Sequence, residues 1–82
     1  MNPKISKAEI IEGYKVLIYY KNGEVKMFDF SKHLLEPFYS KLNNYEYFKN
    51  FKVLVDTIYW DDSVDISPEE LYECSVLYNQ DK

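Results

Sequence analysis

Residues 14–30 constrain the fold more than any other stretch of the chain. Tyr14 to Tyr20 reads Tyr-Lys-Val-Leu-Ile-Tyr-Tyr, a run of β-branched and aromatic side chains that suits a pleated, half-buried surface. Lys21-Asn22-Gly23-Glu24 follows, and the next run extends from Glu24 to Phe30. Asn-Gly tolerates the positive φ angles of a tight turn, so the two runs are expected to fold back on each other as an antiparallel hairpin. A hairpin alone is marginal in water and needs further strands or helices over its apolar face. The rest of the chain must supply them.

Ile5 to Ile11 suggests a preceding strand, turned at Glu12-Gly13. Phe51 to Val55, a turn at Asp56-Thr57 and a return over Ile58-Tyr59-Trp60 predict a second hairpin, closed by Asp61-Asp62-Ser63. Between the hairpins, Ser31 is placed to cap a short helix over Lys32 to Leu35, which Pro37 interrupts because it lacks an amide hydrogen. A second helical turn near Phe38 to Leu42 ends at Asn43-Asn44, and Tyr45 to Phe48 forms another. The clearest local signal is Ser67-Pro68-Glu69-Glu70: a serine cap, proline at the first helical position and a glutamate at the third. Leu71, Cys74 and Tyr78 follow on one face, predicting about three helical turns. These elements describe one α+β domain over residues 1–82, antiparallel hairpins packed with short helices and a C-terminal helix.

With 82 residues there is room for one core, and a fold this small buries only about 60% of its unfolded surface. Efficient side chains are needed, and nine Tyr, five Phe and Trp60 provide them, with Trp60 expected inside. The single cysteine, Cys74, cannot form an intrachain disulfide, which favours a reducing, cytoplasmic setting and a packed thiol on the buried face of the last helix. No run approaches the 18 or so apolar residues of a spanning helix, and the N-terminus lacks a signal-peptide core. Neither a membrane nor export is expected.

No constellation points to catalysis. Asp29, Ser31 and His33 have the residue types of a hydrolase triad but lie within five consecutive positions without a small-residue elbow, and a local cap-and-turn network fits them better. Asp61, Asp62 and Asp65 lack calcium-loop spacing, since Ile66 and Tyr72 fall where glycine and a bidentate glutamate belong. His33 is the only histidine, so a zinc site has no second imidazole. No metal, no cofactor and no enzymatic activity are expected.

The charges are divided. Residues 1–55 carry nine Lys against six acids, and residues 56–82 one Lys against eight. None of the ten basic residues is arginine, the side chain that grips phosphate bidentately and reads guanine edges, so nucleic acid is a poor partner. Nine tyrosines exceed what so small a core can enclose, and exposed tyrosines serve as rigid, amphipathic anchors at interfaces. Asp61, Asp62, Asp65 and Glu69, with Tyr59 and Tyr72 as anchors, are the candidate partner-binding residues, and a basic protein is the partner their charge suits.

The Asn-Gly hairpin, Phe28-Asp29-Phe30-Ser31, Phe48, the hairpin ending in Trp60 and Asp65-Ile66-Ser67-Pro68-Glu69-Glu70-Leu71-Tyr72 together resemble the bacterial domain of unknown function 2442 family over nearly the whole chain. The resemblance implies a small α+β domain with no established enzymatic activity. Some members are encoded beside small proteins suspected of being toxins, which implies an antitoxin role, although this chain lacks an appended helix-turn-helix. Two functions are therefore expected to compete. One is an acidic interaction module, an antitoxin or inhibitor of a basic protein, with a homo-oligomer possible; the other is a nucleic-acid-binding transcriptional regulator.

Overall fold

Both hairpins form, and each belongs to its own antiparallel sheet. The computed structural model describes residues 2–78. Strands β1 (Ile5–Glu12), β2 (Lys15–Tyr20) and β3 (Val25–Asp29) are joined by a two-residue strand near the C-terminus, which is β7 (Val76–Leu77). Their spatial order is β1-β2-β3-β7. The second sheet, in sequence order, contains β4 (Lys52–Leu54), β5 (Thr57–Asp61) and β6 (Val64–Asp65).

The β2–β3 connection is a three-residue loop, Lys21-Asn22-Gly23, between the two runs as the sequence bounds them. Tyr20 and Glu24 pair across it, the Gly23 amide donates back to the Tyr20 carbonyl, and Gly23 alone takes a positive φ, +97°. Asn22 contributes through its side chain, whose oxygen accepts from the Glu24 amide at 2.9 Å. In the second hairpin the turn is Val55-Asp56, one position earlier than the sequence predicts, because Thr57 belongs to the strand. There its hydroxyl donates to the Ile66 carbonyl. The shift leaves β-branched Val55 at φ +52°, a conformation such residues rarely adopt. Its carbonyl accepts from the Ile5 amide at 2.7 Å, which ties this turn to the first sheet.

Between the hairpins run a 3₁₀ turn over Phe30–His33, a longer 3₁₀ stretch over Pro37–Asn43, and α1 (Tyr45–Phe48). The cap of the first is Asp29, whose carboxylate accepts from the Ser31 amide at 2.9 Å; Ser31, expected in that role, is inside the turn. Asn44 caps α1 by accepting from Glu46 and Tyr47. Helix α2 (Pro68–Cys74) starts where predicted, with Ser67 Oγ accepting from the Glu70 amide at 3.1 Å. It is two turns long rather than three. Ser75 leaves helical geometry, and the chain turns back to pair Val76 with Met27 and Leu77 with Lys26. The Lys26 ammonium, almost buried, donates to the Tyr72 carbonyl at 2.5 Å, satisfying an end-of-helix acceptor. With the helix this short, Cys74 is exposed rather than packed.

The core is aromatic at its centre. Phe30 meets Trp60 edge-to-face at 5.4 Å and Phe48 at 5.7 Å, while Phe28 lies 4.5 Å from Phe30. Val16, Ile18, Leu42, Ile58 and Leu71 close the surroundings. Trp60 is 4% exposed, and its indole N–H donates to the Phe48 carbonyl at 2.8 Å, so its one polar atom is satisfied inside.

Candidate functional site

Ile58 and Trp60 point into the core, so Tyr59 between them points outward. It occupies the middle strand of the second sheet, with Lys52 directly opposite on β4 and Asp65 directly opposite on β6. Direct cross-strand partners share a face, which makes Lys52-Tyr59-Asp65 one row across that sheet. Leu54, 54% exposed, lies two residues along β4 on the same side. Asp65 and Lys52 are exposed and Tyr59 half-buried, while Thr57 on the same side is buried against the Ile66 carbonyl, so the open part of the outer face is this row with Leu54 beside it.

The six candidate partner-binding residues divide into two groups. Tyr59, Asp62, Asp65 and Glu69 are at least partly exposed, on or beside this face or in the first turn of α2. Asp61 and Tyr72 are engaged within the fold. Asp61 accepts from the Tyr47 hydroxyl at 2.5 Å, from the Ser63 amide and hydroxyl at 2.8 Å each and from the Val64 amide at 3.1 Å, and Lys41 lies 3.7 Å away. The Tyr47 hydroxyl and the Ser63 donors hold its carboxyl well below the usual carboxylate range. Tyr72 donates to Glu24 at 2.5 Å, meets the Tyr20 ring edge-on at 5.1 Å and carries Lys26 over its face. Asp61 shapes the turn after β5, and Tyr72 fastens α2 to the β2–β3 loop.

Asp29, Ser31 and His33 form the local network expected of them. Asp29 caps the 3₁₀ turn, and His33 Nδ1 pairs with Glu36 at 3.0 Å while its ring stacks on Phe28. His33 also lines a groove of about 390 Å³ with Met27, Phe28, Asp29, Lys32, Cys74 and Val76. Its walls are mostly apolar, and its carboxylate and imidazole are already engaged by Ser31 and Glu36.

Sequence reasoning missed Lys52 in the row and Leu54 beside it. The expected turn at Asp56-Thr57 would set Tyr59 opposite Leu54, whereas the observed turn sets it opposite Lys52. A one-position slip of the turn moves every partner by two, which preserves the face but changes the neighbours. Alternation alone therefore identifies Tyr59 as outward-facing but not what flanks it.

The architecture is that of a small α+β domain in which two antiparallel sheets and short helices enclose one aromatic core, with part of one sheet face left open. The chain belongs to the family described as protein of unknown function (DUF2442), whose model matches residues 5–76, from the start of β1 into β7. No curated protein and no solved structure matches it. Among the described residues, no helix is long and apolar enough to cross a membrane.

Proposed function

We propose that this domain is a non-enzymatic protein-interaction module that acts in the cytoplasm and binds a basic protein on the outer face of its second sheet, as an antitoxin or inhibitor does. One observation carries the proposal: Tyr59 is held on the central strand of the second sheet, on the open part of its outer face, with Leu54 and Asp65 beside it. A half-buried tyrosine on a rigid strand loses little entropy on contact and offers both ring area and a hydroxyl. Asp62, Asp65 and Glu69 supply negative charge around it, which accelerates encounter with a positive partner and repels phosphate backbones.

The test is charge reversal on residues the fold does not use. Asp62→Lys, Asp65→Lys and Glu69→Lys together should slow association with the basic protein co-purified from cells that natively encode the chain. At low ionic strength the expected loss is about ten-fold or more, shrinking as salt is added. Association unaffected at low salt, or tight salt-sensitive binding of the unaltered chain to duplex DNA, contradicts the proposal. Asp61 is left intact because its four hydrogen bonds hold the turn.

A further inference from the structure

Four lysines lie at tyrosine rings, each with an acid bonded either to the ring's hydroxyl or to the lysine. Lys7 lies 4.6 Å from the Tyr19 ring, whose hydroxyl donates to Glu9. Lys26 lies 3.8 Å from the Tyr72 ring, whose hydroxyl donates to Glu24. Lys41 lies 6.0 Å from the Tyr47 ring and 3.7 Å from Asp61, which accepts from that hydroxyl. Lys49 lies 6.0 Å from the Tyr45 ring and 3.2 Å from Glu46. Each places a cation at a tyrosine ring; in the first three a carboxylate accepts from that ring's hydroxyl, and in the last two a carboxylate pairs with the lysine.

Tyr59 and Asp65 make a fifth pair that no cation completes among the described residues. They are direct cross-strand partners, with Cβ atoms about 5 Å apart by sheet geometry. No lysine lies over the Tyr59 ring and none pairs with Asp65. Lys52 stands on the other flank of Tyr59, away from Asp65, where its charge opposes a second cation coming onto the ring.

We infer that the Tyr59–Asp65 pair seats an arginine side chain of the partner protein, an inference that rests on the proposed interaction face. A guanidinium is planar and weakly hydrated, so it can lie on the phenol ring while its N–H fork reaches the neighbouring carboxylate. An ammonium is a compact, strongly hydrated point charge and makes both contacts less well. None of the 82 residues is an arginine, so nothing among them supplies the group.

The experiment is an amide-resolved NMR titration of the full chain with a hexa-arginine peptide, and in parallel with hexa-lysine. Shift changes should centre on residues 52, 59 and 65, with hexa-arginine the tighter ligand. Tyr59→Leu should weaken that binding about three-fold, Asp65→Asn should weaken it by a similar factor, and Lys52→Ala should strengthen it about two-fold. The gain on Lys52→Ala is a response that a merely structural role for the row would not produce. Shifts confined to Glu69 and Glu73, equal affinity for the two peptides, or affinities unmoved by all three variants overturn the inference. Those results leave the interaction face standing if charge reversal there still slows the native partner. If charge reversal has no effect while the arginine peptide binds as described, the face falls and the partner's arginine with it, because Asp65→Lys is among the reversed charges.

Discussion

Val55 is the one non-glycine residue at positive φ among the described residues, and it is β-branched. A left-handed backbone costs an L-residue about 1–2 kcal/mol, and a branched Cβ sits at the upper end. Asparagine tolerates this region because its short polar side chain bonds locally. Val55 is 57% exposed, so replacing it gives up under half of the roughly 1.5 kcal/mol, the low end for apolar side chains, that full burial of a valine contributes, or about 0.7 kcal/mol. Val55→Asn should therefore stabilise the domain by about 0.5–1 kcal/mol. For a domain this size that raises the melting midpoint by about 2–8 °C. Val55→Ala keeps the unfavourable backbone, loses the side-chain contact and should melt below the parent. Calorimetry of the three proteins at one pH gives the order Asn, Val, Ala. An asparagine variant that melts below the valine parent would refute the strain argument, and an alanine variant above it would refute the contact term.

Ser67→Ala removes the α2 cap and should cost about 1 kcal/mol in denaturant unfolding, whereas an unchanged midpoint would deny the cap its role. Trp60 emission should be blue-shifted in the folded protein, and Trp60→Phe should cost about 1–3 kcal/mol because the buried Phe48 carbonyl loses its donor; emission like that of indole in water would place the ring outside. The pH dependence has two edges. Tyr39 and Tyr47 are each pushed up to about 12, first by burial and then by the acids around them, so their contribution is complete below the unfolded value near 10 and is lost as pH rises through 12. Asp61 and Glu24 are lowered, first by the tyrosine hydroxyls that donate to them, so theirs is present above the unfolded value near 4 and is lost as pH falls below it. Melting midpoints should be flat from about pH 5 to 9 and fall on both sides, and a maximum below pH 4 would contradict the carboxylate assignments.

Local chemistry made most of the elements legible. Ser67-Pro68 marked the start of α2, the aromatic runs marked the strands, and Trp60 was expected inside because it ends a strand just before an acidic turn and is the largest apolar group available. Long-range pairing settled what local rules could not. Seven residues of α2 exhaust the helix because Val76 and Leu77 pair with β3, and nothing in Glu73-Cys74-Ser75 signals that stop. Asp29 rather than Ser31 caps the 3₁₀ turn because the ladder with β2 carries Phe30 only as far as Tyr14 before the chain bends. At the candidate site, composition identified acids and tyrosines but not which of them the fold consumes. Asp61 and Tyr72 are spent on Tyr47 and Glu24, residues 14 and 48 positions away, and no spacing rule anticipates either contact.

The interaction face is tested most directly by placing a photo-cross-linking phenylalanine analogue at residue 59 in cells that natively encode the chain. The same analogue at residue 45, a tyrosine exposed elsewhere on the fold, serves as the control. Irradiation should join residue 59, and not residue 45, to a basic protein, and Asp65→Lys should abolish the product. Equal products from both positions, or residue 59 joined to nucleic acid, would contradict the assignment of the outer sheet face as the surface on which this domain meets its partner.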